Sequence, residues 1–62
     1  MAVKPAPDWI RQGRQARGLS QAALARLTGL PQRRLSHWER GLRLPDPADV
    51  AAIRAVFDRL DA

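Results

Sequence analysis

Arginine is the residue through which this chain can do chemistry. Eight arginines and a single acid, Glu39, lie between Trp9 and Pro45, a net charge of +7. The guanidinium is a planar fork whose paired N–H groups match a phosphate or the O6/N7 edge of guanine. From Asp46 to Ala62 four aspartates outweigh two arginines, and Met1 to Asp8 is neutral, so the basic charge is concentrated in the middle. Such a patch suits a polyanion, because neutralised phosphates release condensed counterions. Charge alone fits a solvated arginine-rich face equally well. Lys4 is the only lysine, and arginine with alanine is also what a GC-rich coding sequence yields.

Other chemistries find little material. His37 is the only histidine and there is no cysteine, which leaves no zinc cluster and no disulfide. No nucleophile–base pair and no phosphate-binding loop stands out. The expectation is therefore no enzyme activity, no cofactor, no metal and no small-molecule ligand. The 62 residues make one domain with a small core, for which dimerisation is a route to added stability. Met1 to Asp8 lacks an apolar leader segment, and no run approaches the roughly 20 apolar residues of a membrane span. The chain reads as soluble and cytoplasmic, with no membrane partner.

The arginines must be positioned by helices, since no segment alternates as a strand does. Residues 1–7 contain two prolines and no apolar period, and read as a flexible arm before a domain over 8–62. Asp8 is placed to cap a first helix through Trp9, Ile10, Gly13, Arg14 and Arg17, which Gly18 ends. Gly13 weakens that helix unless it admits the close approach of another. Ser20 caps a second helix over Gln21 to Leu27, with Leu24 and Thr28 inward and small Ala25 beside them. Gly29 supplies a steep turn, and Pro31 fits the first turn of a third helix. That helix turns Leu35 and Trp38 inward and leaves Gln32, Arg33, Ser36, His37 and Arg40 outward. Gly41 ends it, and Asp46-Pro47 starts a fourth helix with a stripe of Val50, Ile53, Phe57 and Leu60.

Two short helices joined by a three-residue turn with a central glycine place the second helix proud of the domain, where it can enter a major groove. The stretches Leu19-Ser20-Gln21-Ala22-Ala23-Leu24-Ala25, Thr28-Gly29-Leu30 and Leu35-Ser36-His37-Trp38-Glu39-Arg40-Gly41 together resemble the Cro/XRE-type helix-turn-helix domain. That family includes phage repressors, Cro proteins, restriction-modification controllers and many antitoxins. The resemblance covers about Ile10 to Phe57 and implies an all-α fold of four or five short helices. It implies a sequence-specific regulator of transcription, most simply a repressor that binds a palindromic double-stranded DNA operator as a homodimer. An alternative within the resemblance is an antitoxin whose main partner is a toxin protein. RNA binding is disfavoured by the lack of exposed aromatic platforms.

Residue by residue, the resemblance puts base reading on Gln32, Arg33, Ser36 and His37, and phosphate contacts on Gln21 and Arg40. Arg33 and Arg34 point about 100° apart on a helix, so Arg33 is assigned to bases and Arg34 to phosphate, with Arg43 of the following loop also on the backbone. The resemblance pairs Arg14 with Glu39 inside the domain, which also accounts for a lone carboxylate in a basic stretch. Trp38, three residues after Leu35, is expected in the core. Val50, Ile53 and Phe57 are expected to face the protein's own core, leaving Val56 and Leu60, with Arg59 at the rim, for a dimer contact. Three departures stand out. Pro31 replaces the usual serine or threonine cap, Thr28 replaces an aliphatic residue, and one C-terminal helix follows where many relatives carry two.

Overall fold

The computed structural model describes residues 8–62; the arm expected over residues 1–7 lies outside them. The described residues form four helices and no strand: α1 (Asp8–Ala16), α2 (Gln21–Thr28), α3 (Gln32–Glu39) and α4 (Pro47–Asp61). No helix among them is long and apolar enough to cross a membrane.

Most boundaries follow from local chemistry. Ser20 Oγ accepts the Ala23 N–H at 3.0 Å and opens α2. Asp46 and Asp49 form a capping box at the start of α4, with Pro47 in its first turn, so the orphan amides of that end are satisfied reciprocally. The chain leaves α1 and α3 by the same device. The Leu19 N–H reaches back to the Arg14 carbonyl and the Leu42 N–H to the His37 carbonyl, each at 2.9 Å. Between α2 and α3 the reversal needs a left-handed residue, and Gly29 takes it at φ 75°.

Asp8 lies in the first turn of α1 and pairs with Arg11 at 3.6 Å, where it serves the helix dipole. The start of α3 differs from expectation. Pro31 is the N-cap of α3, at ψ 136°, and not its first helical residue. Its ring fixes φ near the value either position requires, and its carbonyl, accepting from the Arg34 N–H at 3.0 Å, starts the helix.

Ile10, Leu24, Leu35, Trp38, Ile53, Val56 and Phe57 form the core, with Trp9, Leu19, Ala25 and Leu30 packed against it. Ile10, Leu24, Leu35 and Ile53 are wholly buried, each contributing about 1.5–3 kcal/mol of transfer free energy. Gly13 earns its place through α4: a Cβ there would stand 2.5 Å from the Phe57 ring. That ring also meets Trp9 edge-on, with centroids 6.4 Å apart, and lies under the Arg17 guanidinium at 4.2 Å.

The assignment of Val56 to a dimer surface is corrected: it is 3 % exposed and belongs to the core. Ile53, Val56 and Phe57 follow the i, i+3, i+4 pattern of a core-facing stripe, and Leu60, 47 % exposed, is the residue left outside. Val50 is half-buried.

Candidate nucleic-acid interface

The frame of the site is a buried polar network. The Arg14 guanidinium grips Glu39 with two bonds of 2.9 Å, Nε to Oε2 and Nη2 to Oε1. Its third arm donates to the Leu19 carbonyl at 2.9 Å. Gln21 Nε2 donates to Glu39 Oε1 at 3.1 Å. The two charged side chains are 12 % and 4 % exposed. One carboxylate at the end of α3 therefore ties together α1, the start of α2 and the segment between them. Burial alone would push the Glu39 carboxyl up. The bonds from Arg14 and Gln21, with the Arg14 charge, outweigh burial and hold the group below its ordinary range. The bond to Glu39 raises the pKa of Arg14 in turn.

Thr28 braces the turn before α3. Its hydroxyl donates to the Leu24 carbonyl at 2.8 Å and accepts from the Leu30 N–H at 3.3 Å. A polar residue at this half-buried position thus gives the Leu30 N–H of the turn an acceptor.

Fixed on that frame, α3 turns Leu35, Trp38 and Glu39 inward and Gln32, Arg33 and Arg34 into solvent, with Ser36 and His37 half-buried. Arg33, Arg34 and His37 come together with Pro31 and Arg43 around one concavity of about 440 Å³. Residues expected to read bases and residues expected to meet phosphate therefore share one surface. Arg40 and Arg43 are exposed just beyond α3. Among the described residues Arg33, His37, Arg40 and Arg43 enter no ion pair; the three arginines are exposed and His37 is half-buried.

Two expected phosphate ligands have internal partners as well. Gln21 is half-buried and gives one amide hydrogen to Glu39, with its second N–H available. Arg34 Nη1 lies 3.6 Å from Asp49 Oδ1 on α4. Just after α1, Arg17 holds Asp61 at the end of α4 with its Nε, 3.0 Å from Oδ1, and its Nη2. Sequence reasoning missed both aspartates. It also passed over Leu42 and Leu44, 59 % and 63 % exposed in the α3–α4 loop around Arg43. The signal for these was present, since two leucines in a short loop lie outside any helical stripe.

A helix-turn-helix family model matches residues 10–61. No curated protein and no solved structure gives a match to the chain. The matched stretch takes in all of α2 and α3, the turn between them and the Arg14–Glu39 network. With this geometry and that match, the chain belongs to the Cro/C1-type, or XRE, family of DNA-binding helix-turn-helix regulators.

Proposed function

We propose that the chain is a sequence-specific transcriptional repressor that binds a palindromic operator as a homodimer, with α3 in the major groove. The observation that carries this reading is the outer face of α3. Arg33 and His37 stand one turn apart on α3, with the arginines at 34 and 43 around the same concavity. Arg33 reads guanine, Gln32, Ser36 and His37 contact neighbouring base edges, and Gln21, Arg34, Arg40 and Arg43 bind phosphates. A single short helix reads only a few base pairs, too little to specify a site in a genome, which favours two copies on two half-sites. Leu60, half-exposed on α4 with Arg59 beside it, is the dimer contact, a small one that tightens on DNA.

Selection of binding sites from random duplexes tests the reading. The expected product is an inverted repeat with a guanine in each half and half-site centres about one helical turn, roughly 34 Å, apart. A pool with no enriched sequence would remove sequence-specific binding; an enriched site without symmetry would remove the homodimer. Leu60→Glu is expected to weaken self-association and cooperative binding while leaving a folded monomer.

A further inference from the structure

The Arg34–Asp49 pair lies on the binding face itself. Arg34 and Arg43 line the concavity shared with Arg33 and His37, and both also line the adjoining one, which contains Asp46 and Asp49. Asp49 is mostly buried, 14 % exposed, whereas Arg34 is 49 % exposed. Asp49 is also anchored, its Oδ2 accepting the Asp46 N–H at 3.3 Å. An anchored carboxylate thus holds a half-exposed guanidinium through one loose contact of 3.6 Å. A carboxylate offers the same oxygen pair to arginine as a phosphate does.

We infer that Asp49 is an intramolecular competitor for Arg34: its carboxylate occupies the guanidinium in the free protein and yields it to a DNA phosphate on binding, so Asp49 sets how tightly any duplex is held. This rests on the DNA-binding reading above. Asp49 is a positioning residue, acting on DNA through Arg34. Arg34 meets the phosphate in the complex with or without Asp49, so the pair lowers affinity by the cost of breaking its contact and leaves the number of counterions released, and with it the salt dependence, unchanged.

The test is a set of variants chosen to separate the exchange from net charge and from folding. Asp49→Asn keeps an oxygen for the Asp46 N–H and removes the charge. It is expected to tighten binding to random duplex about two- to fivefold, as befits an exposed pair, and to leave the log–log salt slope unchanged, because the number of phosphate contacts is the same. Asp58→Asn, an exposed change on the same helix, alters net charge equally and is expected to leave both values unchanged. In an Arg34→Gln background Asp49→Asn is expected to do nothing. An equal gain in that background would overturn the exchange and leave plain repulsion between Asp49 and DNA. So would an equal gain from Asp58→Asn, or none from Asp49→Asn at unchanged melting temperature. Retention on immobilised heparin, compared across the same variants, reads the competition without a duplex. Later elution of Asp49→Asn only when Arg34 is present, with no duplex binding by the parent, would sink the DNA reading and keep the exchange.

Discussion

Two arginine–carboxylate pairs in this small domain have opposite characters. Arg14–Glu39 is enclosed, doubly bonded at 2.9 Å and shared with Gln21. Arg34–Asp49 is a single contact of 3.6 Å with the arginine half in solvent. The first is part of the frame, because an abandoned buried charge costs several kcal/mol. The second is worth little to stability, since water and salt screen it. The same two charged groups, guanidinium and carboxylate, thus fix α3 on its inner face and leave a cation on its outer one.

Breaking the enclosed pair gives the largest expected effect. Glu39→Ala is expected to cost about 3–5 kcal/mol, by leaving Arg14 buried and unpaired. That is comparable with the whole stability of a domain this size, so helical circular dichroism at 25 °C is expected to be largely lost. Replacing both partners with apolar residues of similar volume is expected to restore much of it. A loss below about 1 kcal/mol in the single variant would make this pair no different from an exposed one.

Acid probes the same bond more gently. The Glu39 carboxyl is held below its ordinary range in the folded protein, so the folded state binds its proton less readily than the unfolded chain does. The stabilisation is complete above the unfolded value of about 4.3 and is lost as pH falls from there through the depressed folded value. Melting temperature is expected to fall over that acid range, and to do so much less in the doubly apolar variant. Equal acid sensitivity in both would place the titrating group elsewhere.

A middle-sized effect is expected where α1 meets α4. Gly13→Ala adds helix propensity of about 1 kcal/mol but drives a methyl into the Phe57 ring, an overpacking cost of about 1–3 kcal/mol. The net expected change is a modest destabilisation that reverses sign in a Phe57→Leu background. The same sign in both backgrounds would show that the ring moves aside freely. The smallest effect belongs to the exposed pair: Arg34→Gln is expected to change stability by less than about 1 kcal/mol, while it weakens DNA binding measurably.

Much of the frame was legible because it is local. Ser20, Asp46-Pro47 and the glycines at 18, 29 and 41 each decide a helix end within four residues, and Leu35 with Trp38 declares an inner face by spacing alone. Arg14 and Glu39, 25 residues apart, were paired through the family resemblance and not through any spacing. What escaped is set by how helices lie against one another. Val56 and Phe57 are both inside because the core stripe of α4 is wide enough to take adjacent residues. Asp49 meets Arg34, and Asp61 meets Arg17 across 44 residues, only once α4 has docked. For the candidate site, the outward face of α3 could be read from its period. The concavity that joins Arg33, His37 and Arg43 could not, since it depends on where the loop after Gly41 returns.

On the proposed reading, the outer face of α3 carries sequence choice while the buried network holds it in place. The most direct test is the affinity of Arg33→Ala for the best selected duplex and for a random one, at one salt concentration. The expected result is a loss of about 1–3 kcal/mol on the selected site, relaxed preference at one base pair, a much smaller loss on random DNA and an unchanged melting temperature. Equal losses on both duplexes would contradict it, reducing Arg33 to one more phosphate contact and leaving the reading of bases to other residues.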